Sequence, residues 1–158
     1  MDLYHFISAA LLALPAAWLT IGVWENIRHP VMNETYTAEV LSMARLKHDY
    51  PQLFNQIGKR AIQNRGIQRL AFYAIVSAEL GISLALWAGA GAHIFAPDMA
   101  LTDTLGKLAI LGFCSLWGSF LVVGNYFAYW MCHDIAQNTH FQMLFWGLGI
   151  LIFLSIGS

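Results

Sequence analysis

Leu108 to His133 reads LAILGFCSLWGSFLVVGNYFAYWMCH, with no Asp, Glu, Lys or Arg anywhere in it. A helix of about 20 apolar residues crosses a hydrocarbon core about 30 Å thick, so this segment is long enough to span a bilayer. Leu3 to Trp24 and Ile135 to Ser158 also lack all four residue types, and Leu70 to Pro97 carries a single charge, Glu79. The chain of 158 residues is 58% hydrophobic and 11% charged, where an average soluble domain carries about 25% charged residues. These features predict an all-α integral membrane protein, a four-helix bundle forming one domain over residues 1–158. The spans are expected at about 3–25, 69–96, 106–131 and 139–157, with a polar loop over 26–68.

The N-terminus, MDLYHF, has no Lys or Arg, whereas a secretory signal needs a basic n-region; the first apolar segment is expected to be retained as a span. Cys114 and Cys132 read as two points on one helix, about 27 Å apart at 1.5 Å per residue, too far to bridge. A formal net charge of -1 gives no reason to expect nucleic acid. Pro15 is tolerable inside the first span, where neighbouring groups satisfy the freed carbonyl.

The polar loop holds two amphipathic segments, Thr37 to His48 and Pro51 to Gly66, the second opened by a proline suited to a first helical position. Both predict short helices lying at the interface or docking on a partner. Seven of the eight basic residues, Arg28, Arg45, Lys47, Lys59, Arg60, Arg65 and Arg69, fall in this loop or at its junction with the second span. The positive-inside rule would place it in the cytoplasm. Arg45, Lys47, Lys59 and Arg60 are the expected contacts to an acidic partner or to anionic phospholipid headgroups. In the second span Gly81, Ala85 and Gly89 form a small-xxx-small ladder, which lets helices approach closely in lipid.

Glu79 is the conspicuous polar group. Counted from Leu70 it lies about 14 Å into its span, near the bilayer middle, where a charged side chain must face protein or water. Asn125, Thr20, Ser83 and Ser119 are its candidate partners. Such a residue serves either a proton or ligand pathway or an interhelical hydrogen bond. Glu79, Asn125 and Tyr126 together also supply the residue types of a quinone pocket. Trp24, Tyr126, Tyr129 and Trp130 read as an interfacial aromatic belt.

His29, His48, His133 and His140 are expected on the polar-loop side, and His5 and His93 on the other. No pair has the i, i+3 or i, i+4 spacing that puts two ligands on one helical face. His133 and His140 are therefore weak metal or haem candidates, and no metal or cofactor is expected. The chain has no Gly-rich phosphate loop, GxSxG elbow, HExxH or metal-spaced Cys pair, and no enzymatic activity is expected.

The order of segments resembles the family of predicted small integral membrane proteins classed as a domain of unknown function, bacterial and with four spans. The residues carrying the resemblance are Asn26, Val40-Leu41-Ser42-Met43, Glu79 and Gly124-Asn125-Tyr126-Phe127-Ala128-Tyr129-Trp130. The resemblance implies no established activity, puts Glu79 on the family's central acidic position and places Asn125 where the family usually has Glu. His133, Cys132 and His140 lie outside the family pattern. It also implies a cytoplasmic N-terminus, opposite to the charge count. The expected function is a non-catalytic accessory subunit of a larger complex in the bacterial inner membrane, plausibly in respiratory or photosynthetic electron transport, with other membrane subunits and phospholipids as partners. The alternatives are a small haem- or quinone-binding redox carrier, or a proton-linked channel or transporter centred on Glu79.

Overall fold

The computed structural model describes residues 2–157. Seven α-helices make up the described chain: α1 (Leu3–Arg28), α2 (Pro30–Ser42), α3 (Ala44–Asp49), α4 (Pro51–Ile57), α5 (Arg65–Phe95), α6 (Thr102–Tyr126) and α7 (Asp134–Ile156). Of these α1, α5, α6 and α7 are long and apolar enough to cross a membrane. They stand side by side in that order, each antiparallel to the next. The short helices α2, α3 and α4 cap one end.

Local chemistry sets the boundaries. Asp2 caps α1 by accepting from the His5 N–H, and Asn64 caps α5 by accepting from the Gly66 and Ile67 N–H groups; such caps satisfy donors that no helical carbonyl reaches. Pro30 and Pro51 open α2 and α4, where a missing N–H costs nothing. Met43 and Ala128 adopt positive φ, 54° and 53°, a conformation strained for residues with a Cβ. Both are buried in the same apolar cluster with Leu41, Leu46 and Phe127. Packing therefore over-determines the strained turns, and it ties the cap to the α6–α7 connection.

Water does not drive helices together inside lipid; close van der Waals packing and interhelical hydrogen bonds do. The central cluster combines Leu12, Ala16, Leu86, Ile110, Phe113 and Leu154, none of them measurably exposed. Helices α5 and α6 meet at Gly89, where a Cβ would stand 3.2 Å from the Gly106 Cα. Thr20 of α1 and Ser83 of α5 lie 2.9 Å apart, and the Ser83 hydroxyl also reaches the Ala16 carbonyl at 3.1 Å.

Two expected boundaries move. Helix α6 ends at Tyr126 and α7 begins at Asp134, so the turn occupies 127–133 rather than the 132–138 left between the expected spans. Phe127 and Ala128 are apolar because the cap covers them, which makes a buried turn look like the end of a span. The expected segments Thr37–His48 and Pro51–Gly66 are also redrawn: the left-handed Met43 breaks the first into α2 and α3, and the second stops at Ile57 before a 3-10 turn over Gly58–Arg60. Cys132 then lies beyond α6, and Cys114 and Cys132 are both free.

Candidate functional site

Glu79 sits at the mid-point of α5, yet not at the middle of the membrane. Helix α5 has 31 residues, about 46 Å at 1.5 Å each, and its first turns run past the end of α1 into the cap. Across the α1–α5 seam Glu79 faces Asn26, Ser83 faces Thr20, and His93 faces His5. Asn26 is in the last turn of α1. Glu79 is therefore level with the interfacial end of the bundle, where a polar group costs far less than at the centre.

The partner of Glu79 is Asn26, not Asn125, Thr20, Ser83 or Ser119. The Asn26 amide donates to Glu79 Oε2 at 3.0 Å and accepts from the Asn33 amide at 2.6 Å. Asn26 is 7% exposed, so its carbonyl and amide depend on these two bonds. Thr20 instead joins Ser83 and accepts from the Trp87 indole N–H at 3.0 Å. Ser119 donates to the Leu116 carbonyl, and Asn125 is on the exposed side of α6.

Glu79, Asn26 and Asn33 line one side of a cavity of about 310 Å³ between the cap, α1, α5, α6 and α7. Trp117, Phe120, Tyr129 and His140 line it as well. The Tyr129 hydroxyl and His140 Nδ1 are 3.3 Å apart, the donor depending on the histidine tautomer, and their rings stack at 19°. His140 also meets Phe120 and Trp117 at ring separations of 5.0 and 5.5 Å. Trp117 keeps its indole N–H buried with no acceptor. The cavity thus offers a flat aromatic wall and a carboxyl group. A volume near the lower end of small-molecule sites suits one ring system.

Tyr129 departs from the belt expected of it. It is 4% exposed, because the left-handed Ala128 turns the chain back and lays the ring over the last turn of α6 at Gly124, where a Cβ would collide with it. Burial, then the nearby Tyr36, pushes its phenol up to about 12. Trp24, Tyr126 and Trp130 are exposed, at 57%, 55% and 48%, and Trp24 lies under Arg28.

His133 and His140 do not converge. His133 is buried beside Tyr36, with Nε2 3.9 Å from Glu39; burial lowers its pKa, an effect Glu39 opposes. The basic residues of the first loop largely hold the cap. Arg45 pairs with Glu39 at 3.1 Å and donates to the Cys132 carbonyl at 2.9 Å. Arg60 donates to the Tyr126 carbonyl at 3.1 Å while stacking on that ring. Lys47 lies over Phe54, and Lys59 is exposed.

The small-residue ladder divides. Gly89 is buried against α6, whereas Gly81 and Ala85 face outward, with nothing within 4 Å of a Cβ at Gly81. A four-residue step turns 40° further round a 3.6-residue helix, so two steps carry Gly89 into the bundle. The exposed row follows alternating steps of four and three: Ala74, Ala78, Gly81, Ala85 and Ala88 are all exposed.

Four apolar helices of spanning length, the first loop folded as a cap, define a multi-pass integral membrane protein in contact with lipid. The chain belongs to the family described as "predicted small integral membrane protein (DUF2165)", whose model matches residues 4–157. No curated protein and no solved structure gives a match.

Proposed function

We propose that this protein is a non-catalytic binding protein of the bacterial inner membrane that holds a neutral, ring-headed amphiphile of the quinone type. The supporting observation is the cavity at the capped end: an acidic side chain, the Tyr129–His140 pair and the Trp117 and Phe120 rings surround a space one ring would fill. Its level near the end of α1 suits a ligand whose head sits at the interface and whose tail runs into lipid. A carbonyl oxygen of such a head would accept from Tyr129, and Glu79 would donate when neutral or accept from a hydroxyl when ionised.

The test is titration of the protein in lipid nanodiscs with a short-chain benzoquinone, read by quenching of tryptophan fluorescence. Saturable binding should weaken at least about tenfold, or about 1.4 kcal/mol, in Glu79→Leu. Glu79→Gln, which keeps a hydrogen-bonding head, should retain more. Equal affinity in wild type and Glu79→Leu would refute the assignment.

A second reading, an accessory subunit of an electron-transport complex, is favoured by the exposed row on α5. Alternating steps of four and three keep one face toward a neighbouring helix, and small side chains permit close approach. Under it, the protein extracted in mild detergent migrates with a larger assembly, and Ala85→Leu releases it. Normal association of Ala85→Leu would count against that face.

A further inference from the structure

At the opposite end of the bundle, far from the capped cavity, three helices bring together residues that sequence spacing keeps apart. His5 comes from the first turn of α1, His93 from the last turn of α5 and Asp103 from the first turn of α6. Their ligand atoms lie within 4.8 Å of one another, the one such set of three among the described residues. We propose that His5, His93 and Asp103 form a binding site for a divalent transition-metal ion at this membrane face.

Three observations support it. The two histidines face each other through Nδ1 atoms 2.9 Å apart, an arrangement in which two neutral rings share one proton while a cation would take both lone pairs. Ligands on a tetrahedral ion with bonds of about 2.0–2.1 Å stand about 3.3 Å apart, so side-chain adjustments alone close the set. Asp103 is itself oriented: the Tyr4 hydroxyl donates to Asp103 Oδ1 at 3.1 Å, the outer-shell support that metal-binding carboxylates commonly have.

The surroundings agree with a cation. His93 lies where the unpaired carbonyls of α5 give the helix end a partial negative charge. Gly106 is needed beside it, since a Cβ there would be 3.1 Å from both His93 Nε2 and the Leu12 side chain. Two imidazoles and one carboxylate select zinc, copper or nickel rather than magnesium or calcium. Three protein ligands leave a fourth position for water or a small ligand.

The test uses the full chain in detergent, purified through a tag without histidine, stripped with chelator and titrated with Co2+ by visible absorption, then competed with Zn2+. One ion per chain is expected. His5→Gln and Asp103→Asn, both at partly exposed positions, should each weaken binding at least about tenfold, the scale seen even for outer-shell changes. Helical circular dichroism and elution volume should be unchanged, and His48→Gln at the capped end should bind as wild type does. His93→Gln replaces a wholly buried ring and is informative only if it passes the same folding checks. Absence of saturable binding, or affinities that His5→Gln and Asp103→Asn leave unaltered, would overturn the proposal and reduce the set to a hydrogen-bonded clamp between helices.

Discussion

Gly124→Ala tests whether the Tyr129 ring builds the cavity wall. A Cβ at position 124 would stand 2.5 Å from Tyr129 Cδ1 and 2.7 Å from Cζ, about 1 Å inside ordinary carbon–carbon contact. Tyr129 cannot swing aside freely, because it is 4% exposed and stacks on His140. Overpacking of this kind costs about 1–3 kcal/mol. Alanine also gains about 1 kcal/mol over glycine in a helix, so the single variant is expected to lose up to about 2 kcal/mol. In a Tyr129→Ala background the clash vanishes and the same change should stabilise by about 1 kcal/mol. The propensity gain is common to both backgrounds, so the difference between them isolates the clash. Unfolding in detergent micelles, titrated with sodium dodecyl sulfate and followed by helical circular dichroism, supplies the four stabilities. Equal effects of Gly124→Ala in the two backgrounds would refute this placement of the ring.

Gly147→Ala should destabilise by about 1–3 kcal/mol, since its Cβ would lie 2.6 Å from the Cys114 sulfur and 2.9 Å from Phe113 Cδ1; Cys114→Ala should restore part of the loss in the same unfolding assay. Gly89→Leu should disrupt the bundle, because it meets the Gly106 backbone, whereas Ala85→Leu should leave the monomer's unfolding midpoint unchanged. Burial lowers the pKa of His133 below its ordinary 6.5, so the unfolded chain binds that proton more readily; stability is present above about pH 6.5 and falls as pH drops below it, and His133→Gln should flatten that slope in unfolding curves. Tyr129 should be the last tyrosine to ionise in an absorbance titration, near pH 12, and Tyr129→Phe should remove that final step; its presence in Tyr129→Phe would reassign it.

Four spans were legible because uninterrupted apolar length is a strong, local signal. Glu79 stood out for the same reason, as the lone charge in its segment. What local reading could not supply was register between helices. Asn26 becomes the partner of Glu79 only because α5 overruns α1 by several turns, and His5 meets His93 only because the two helices run antiparallel, 88 positions apart. The misplaced α6–α7 turn has another cause: Phe127, Ala128, Met131 and Cys132 are apolar on account of the cap above them, and composition does not distinguish lipid from protein as the covering. The Gly81, Ala85, Gly89 ladder mixed two faces because a fixed four-residue step drifts around the helix.

The wholly buried slab of Leu12, Ala16, Leu86, Ile110 and Phe113 has an electrical meaning. Ser8 and Thr20 bound it on α1, about 18 Å apart along the axis, and an unpaired ion placed between them would meet a prohibitive desolvation cost. The bundle is therefore a dielectric plug, with most of any transmembrane voltage falling across this slab. At 100 mV that drop is worth about 2.3 kcal/mol for each unit charge. Glu79 and the His5–His93 pair lie on opposite sides of this slab, so a charge carried from one to the other would cross nearly the whole of that drop.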